Sequence, residues 1–370
     1  MNLDPGSFEP LNPESIPFIS SADDLSAFLD SLPGGDEPCA IDSEADSLHA
    51  YREKLCLIQF SAGDRHALID PLVLDRPEVD ILLRYLDGRD VWMHGMDFDL
   101  SILKRTYDWI PARTFDTQIA ARLIGCRQFG LAHLIEEYFD VKLSKASQRA
   151  NWGTRPLSDH LIEYAVNDVR YLLPLAGKLN RQLHEAGRWE WFLESCQGTA
   201  RTVLERPGPD TENAWRISGT GNMRRVYLAF LRALWHWRDF EARRRDLPPF
   251  KILNNRDLIS AANAAVDGND RLPRRMREGM ERRYRKAIAQ ARGFSPEEWP
   301  EERKRGKRPP ADPEFGKRLN AFKKRRDIAA AELNIDESLI APRPLLESLA
   351  ARTEGADERL LSWQRQLLGL

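Results

Sequence analysis

Three strand-like runs, "CAIDSE", "KLCLIQFSAG" and "RHALIDP", follow one another near the N-terminus, split by turn residues. The pattern then changes to alternation: "EVDILLRYLD" reads as a helix, "VWMHG" as a short strand and "FDLSILKRTY" as another helix. Strands met first in succession, then singly between helices, specify an α/β layer with a mixed sheet. Ahead of them, "SADDLSAFLDSL" has Ser21 as N-cap and Leu25, Phe28, Leu29 and Leu32 at helical spacing. Further helices are expected at "TQIAARLIG", at "LAHLIEEYF" and, as one long run, at "SDHLIEYAVNDVRYLLPLAGKLNRQLHEA".

At 370 residues the chain is too long for one ordinary domain. The α/β region accounts for residues 1–204. A segment rich in Pro, Gly and acids, "ERPGPDTENAW", then reads as a linker, taken as 205–217. Beyond it the strand signal disappears. A small all-α module is expected over 218–295, a basic linker over 296–313 and a second, shorter helical module over 314–370. The two modules look alike, because each has a basic helix ending in Arg-Asp (Arg238-Asp239 and Arg326-Asp327), then a loop and a further helix. This is a weak internal duplication.

Net charge is −2, but its distribution is uneven. Residues 1–50 hold eleven Asp/Glu and no Lys or Arg, whereas 271–308 hold fourteen Lys/Arg against six Asp/Glu. Such asymmetry suggests a basic surface for an anionic partner, the plainer reading being a solvated helical face. Cys39, Cys56, Cys126 and Cys196 are far apart with no C-x-x-C pair, which argues against a zinc site or disulfide framework and fits a reduced, cytoplasmic setting. No apolar run approaches the roughly 20 residues needed to span a bilayer. "MNLDPGSFEP" lacks the basic start and apolar stretch of a secretory signal.

In "AIDSEADSLHAY" side chains alternate across the strand, so Asp42 and Glu44 share a face and Ser43 points away. Two carboxylates held that close repel, and a hard divalent cation such as Mg²⁺ removes the conflict. Alone, the pair reads as well as two exposed acids at a strand end, and Asp46 as a surface or loop acid. Asp99 stands at a strand-to-helix junction in "HGMDFDLSILKR", with Asp97 competing; an Asp there also suits the helix N-terminus. In "EYAVNDVRYLLPL", Tyr164 and Asp168 lie one turn apart on one face of an otherwise apolar helix. A mid-helix Asp in such a pattern needs a partner, and a metal is a good one.

In chain order this is D-x-E, then F-D-L after His-Gly, then Y-x-x-x-D. Here the sequence resembles the Tyr-containing branch of the DEDD superfamily of 3′→5′ exonucleases, and is similar to the ribonuclease D family. The blocks "IDSEADSLHAYREKLCLIQFS", "ALIDPL", "HGMDFDLSIL", "FDTQIAARLIG" and "NWGTRPLSDHLIEYAVNDVRYLLPL" follow that family's order over about residues 18–195. The C-terminal pair resembles HRDC domains, the copy at 218–295 more clearly. The resemblance implies an RNase H-like mixed sheet flanked by helices and hydrolysis of phosphodiesters with two divalent metal ions, Mg²⁺ or Mn²⁺. Two such ions about 4 Å apart stabilise both the attacking and the leaving oxygen. By motif, Asp42 would bridge both metals, Glu44 and Asp168 would complete the first site and Asp99 would support the second. Tyr164, a phenol with pKa near 10, would orient the attacking water. Ser43 stands where many relatives carry Thr, a change not expected to matter.

Lys145, Gln148, Trp152 and Arg155 fall in a loop-like stretch, where they contact phosphates or stack on a base, or where Trp152 simply packs under the loop. His94 is either a substrate contact or orders the strand end; Asp116 in "FDTQ" reads as an N-cap. "SGTGN" lacks the G-K-[ST] of a P-loop, so no NTP site is expected. The expected activity is trimming of RNA 3′ ends, with a single-stranded end of a tRNA precursor or similar structured RNA as partner, by a monomer. A DNA exonuclease of the same superfamily and a non-catalytic nucleic-acid scaffold are the alternatives.

Overall fold

The computed structural model describes residues 11–144, 146–208, 210–271, 273, 275–302 and 312–370. The chain forms two compact units: one of Met1–Ala45, Leu55–Arg206 and Ala311–Leu370, the other of Asp46–Lys54 and Pro207–Pro310.

In the first unit the elements run β1 (Phe18–Ile19), α1 (Ala22–Asp30), β2 (Cys39–Ala45), β3 (Leu55–Ala62), β4 (Arg65–Ile69), α2 (Arg76–Asp87), β5 (Asp90–Met93), α3 (Asp97–Tyr107), β6 (Arg113–Asp116), α4 (Thr117–Ile124), α5 (Leu131–Phe139), α6 (Asp159–Arg170), α7 (Leu172–Glu185) and α8 (Trp189–Glu205). The six strands form one mixed sheet in the order β1-β4-β3-β2-β5-β6. β2, β3 and β4 are an antiparallel meander, while β1, β5 and β6 join parallel to their neighbours. This is the mixed sheet expected from the strand order in the sequence. β1 and β6 are so short that their pairing, not their composition, defines them. Ser21 caps α1 as expected, accepting from the Asp24 amide.

The long helix expected before the linker is two helices, broken at Tyr171. Pro174 accounts for the break. It has no N–H to give the Arg170 carbonyl, and its ring would strike that carbonyl if the helix continued.

The second unit contains α9 (Arg225–Arg244), α10 (Pro249–Ile252), α11 (Asn255–Val266) and α12 (Glu278–Arg292), packed around Leu234, Trp237, Leu258, Ala262, Tyr284 and Ile288. The segment Asp46–Lys54 belongs to this unit. Tyr51 donates from its hydroxyl to Asp239 at 2.6 Å and from its amide to Asp246 at 3.1 Å. Asp46, expected as a surface or loop acid, lies in the loop after β2 but is only 3% exposed, and it closes the segment by accepting from the Lys54 amide at 2.7 Å.

The chain returns to the first unit with α13 (Phe315–Leu333), α14 (Glu337–Ile340), α15 (Arg343–Ala350) and α16 (Ser362–Leu368). Residues 303–311, which carry much of the basic linker expected over 296–313, lie outside the described residues. The segment 314–370, read from the sequence as a module of its own, shares one hydrophobic core with the α/β elements through Ile335, Ile340, Leu346 and Trp363. Trp363 stacks on Trp191 of α8 at 5.0 Å, and Glu194 accepts from the Ser362 amide at 2.6 Å. Gly125, in the left-handed region at φ 102°, lies against α13's C-cap: a Cβ there would sit 2.5 Å from the Asn334 carbonyl.

The duplication is visible in the backbone. Pro249 to Glu337, Asn255 to Arg343 and Arg238 to Arg326 each span 88 residues, so two short helices and one arginine repeat in register. Arg238 donates to the Leu253 carbonyl at 3.0 Å, and Arg326 donates to the Ala341 carbonyl at 3.2 Å. Each arginine satisfies the carbonyl just past its short helix, where the helix leaves it without a partner.

Candidate metal centre

β2 carries two acids because it ends at the site. Asp42 lies opposite Gln59 and Glu44 opposite Leu57 in the β2–β3 ladder, with a register shift after Glu44. α6 packs on β2, β3 and β4 through its apolar side, including Ala165 and Val166. That packing brings Asp168 to the strand acids, and ligand oxygens of Asp42, Glu44 and Asp168 lie within 4.8 Å of one another.

Asp99 stands outside that set of three but in electrostatic contact with Asp42 and Glu44. It is in the first turn of α3 and 3% exposed. Asp97 is exposed and forms an ion pair with Arg206 at 2.6 Å, so the two candidates of the "MDFDL" stretch are separated by tertiary contacts. The turn that delivers Asp99 is held by Asp116, which accepts from the amides of Gly95 at 2.9 Å and Met96 at 3.0 Å. Asp116 is also the N-cap of α4, as expected. Its second task depends on β5 and β6 lying side by side, which no local pattern announces.

Ser43 has a role at the site that the sequence pattern does not announce. Strand alternation turns it away from Asp42 and Glu44, and there its hydroxyl donates to Asp99 Oδ1 at 2.5 Å. Ser and Thr both carry the hydroxyl that makes this bond, so the expectation that the exchange of one for the other is of little consequence stands beside a role for the hydroxyl itself.

The electrostatics are those of four acids under strain. Burial, and then the Asp168 carboxylate, push Asp42 well above the usual range. Burial with Asp42, Asp168 and Asp99 nearby raises Glu44 to about 10. Asp99 is pushed up by burial and by Asp42, against the Ser43 hydrogen bond. Asp168 rises to about 7 through burial, eased by the Tyr164 hydroxyl, which donates to it. The Tyr164 phenol is raised as well, by burial and the surrounding acids, so it keeps its proton. An all-oxygen set of mutually repelling carboxylates fits a hard divalent cation, whose charge removes the repulsion that protons otherwise relieve.

The softer candidates divide. Trp152 is 1% exposed and packs against Tyr164 with ring centroids 5.9 Å apart, so it has no face to offer a base. Arg155 holds both oxygens of buried Asp70, at 2.6 and 2.8 Å, and spends its remaining donors on the carbonyls of Cys56, Trp152 and Thr154. A guanidinium so engaged is a structural tie rather than a phosphate contact, which corrects the expectation for Arg155. His94 hydrogen-bonds Thr117 Oγ1 at 2.9 Å at the end of β5, and Gln148 is exposed. Lys145 lies outside the described residues.

Residues 16–184 match the 3′-5′ exonuclease family model, and residues 228–274 match the HRDC domain model. Ribonuclease D of Zymomonas mobilis is 33% identical over 250 residues, which cover 66% of this chain and 63% of that protein. In that match the chain thus spans less than two thirds of its relative's length. Ribonuclease D of Granulibacter bethesdensis is 30% identical over 370 residues, covering 95% of this chain and 90% of that protein. The solved structure of Escherichia coli RNase D, described as an exoribonuclease involved in structured RNA processing, is similar with a TM-score of 0.67 and 26% identity, covering 91% of this chain and 90% of that one. On its sequence and its fold together, the chain belongs to the ribonuclease D family.

Proposed function

We propose that the protein is a divalent-cation-dependent 3′→5′ exoribonuclease that trims structured RNA, tRNA precursors among them. The observation that carries this reading is the joining of Asp42, Glu44 and Asp168 from two separate elements into one oxygen cluster, with Asp99 and Tyr164 beside it. Asp42, Glu44 and Asp168 would hold one cation, and Asp99 with Asp42 would support a second. Bound there, Mg²⁺ or Mn²⁺ supplies Lewis-acid stabilisation of the phosphoryl oxygens and makes water nucleophilic near neutral pH.

The chain's own groups do the rest. Ser43 fixes the Asp99 carboxylate, and Asp116 fixes the turn that carries it. Tyr164 keeps its proton, so it orients the attacking water and is not the base. The helical unit supplies a grip on RNA phosphates through exposed Arg275, Arg277, Arg282 and Lys286, an electrostatic and salt-dependent term. RNA is favoured over DNA by the description of the Escherichia coli protein.

A side-by-side digestion of 3′-tailed RNA and DNA, with Mg²⁺ or with EDTA, tests the reading. RNA is expected to shorten from its 3′ end with Mg²⁺ and to stay intact with EDTA. Equal or faster loss of DNA replaces it with a DNA exonuclease, and no loss of either removes the catalytic assignment.

A further inference from the structure

Gln59 is fully buried, at 0% exposure, and among the described residues neither its Nε2 nor its Oε1 has a hydrogen-bond partner. A primary amide offers two donors and an acceptor, and leaving them unmet in the interior is unfavourable. Apart from Asp42, its neighbours on the same side are apolar: Leu57, Leu68, Ala165 and Val166 line that layer. Packing by itself would be served as well by Leu or Met.

The position of the amide supplies a reason for it. Gln59 pairs with Asp42 in the antiparallel β2–β3 ladder. Residues directly opposite in such a ladder share a face, with Cβ atoms about 5 Å apart. Gln59 therefore stands on the carboxylate face, beneath α6, next to the acid that belongs to both proposed cation positions. A hard cation such as Mg²⁺ keeps several of its waters when carboxylates bind it. Those waters need acceptors, and the carboxylate oxygens not engaged by the cation need donors. One buried amide offers both.

We infer that Gln59 is a positioning residue for the cation site: its amide, unpartnered beside Asp42, takes hydrogen bonds with the hydration shell of the cation that Asp42, Glu44 and Asp168 hold. The inference rests on the proposed function, and it carries a signature that a purely structural glutamine lacks. Without cation the amide is a burden, so an apolar residue of similar shape raises stability. With cation the same replacement removes a partner, so the gain is reversed.

The test uses the full chain as wild type, Gln59→Met, Gln59→Leu as a second shape for the same loss, and Asp42→Asn. Thermal unfolding is followed in EDTA and along a MnCl₂ titration, and Mn²⁺ affinity is read directly by electron paramagnetic resonance. Gln59→Met is expected to unfold in EDTA no lower than wild type and to bind Mn²⁺ about 10- to 100-fold more weakly, the range seen when groups supporting a metal ligand are removed. Wild-type Mn²⁺ affinity in both Gln59 variants, or an equal loss of stability with and without Mn²⁺, overturns the inference and leaves the cation site standing. A wild type that binds no Mn²⁺ and is indistinguishable from Asp42→Asn overturns the site and the inference together.

Discussion

The Ser43 hydroxyl and the Asp99 carboxylate meet at 2.5 Å inside the protein, tying the middle residue of the D-x-E stretch to an acid 56 positions away. Both residues are buried, at 7% and 3% exposure, so neither can turn to water if the bond is lost. A buried hydrogen bond to a charged group contributes roughly 1.5–3 kcal/mol. Ser43→Ala should therefore lower single-turnover cleavage about tenfold, by loosening Asp99, while Ser43→Thr keeps the hydroxyl and most of the rate. An alanine variant as fast as wild type would show that Asp99 is held without Ser43.

Asp42 faces both Asp168 and Asp99, so its removal should separate catalysis from folding. Asp42→Asn is expected to reduce metal-dependent cleavage of a 3′-tailed RNA by at least about 10³-fold and to leave RNA affinity within about threefold. It also removes one of four repelling acids, so its melting temperature in EDTA should not fall. Retained activity would sink the metal-centre assignment.

The raised carboxylates set a pH dependence whose sign comes from linkage. Asp168 rises from 3.8 to about 7 and Glu44 from 4.5 to about 10, so the folded state binds more protons than the unfolded state between those limits. Their contribution to stability is full below about pH 4 and is lost as pH rises through about 7 and on toward 10. In EDTA the melting temperature should fall from about pH 5 to about pH 8. With Mg²⁺ present the fall should be smaller, because the cation takes the place of the protons. Parallel curves with and without Mg²⁺ would contradict this.

Arg155 and Asp70 form a two-pronged ion pair in which Asp70 is 1% exposed. Breaking a buried pair by removing one partner costs about 3–5 kcal/mol, since the other charge is left without compensation. Arg155→Ala should depress the melting temperature by roughly 10 °C and leave RNA affinity unchanged once the protein is folded. The opposite outcome, wild-type stability with weakened binding, would restore Arg155 as a phosphate contact.

The exposed cations of the helical unit are best tested by charge, not by truncation. A cut near residue 210 also removes α13 to α16 from the core they share with α8, which confounds binding with folding. Replacing Arg275, Arg277, Arg282 and Lys286 by Gln should weaken RNA binding and reduce the slope of log affinity against log salt by up to about 3, at roughly 0.7 per single-strand phosphate contact. An unchanged slope would place the RNA grip elsewhere.

Much of this protein is legible along the chain. Period-2 and period-3.6 patterns locate most strands and helices, because burial of one face imposes a repeat that composition records. The D-x-E pair and the Tyr164–Asp168 turn are equally local, since a pleat and a helical turn place them. Even the 88-residue duplication shows in a repeated Arg-Asp, because each copy solves the same carbonyl problem with the same arginine. Roles that arise from contacts across the fold are not legible in this way. Ser43 becomes a support for Asp99, Asp46 a buried clamp, Trp152 and Arg155 parts of the interior, and 314–370 part of the α/β core. A sequence pattern states that a side chain is to be buried or paired; only tertiary structure selects the partner, because that choice depends on which distant surfaces are brought within a few ångströms.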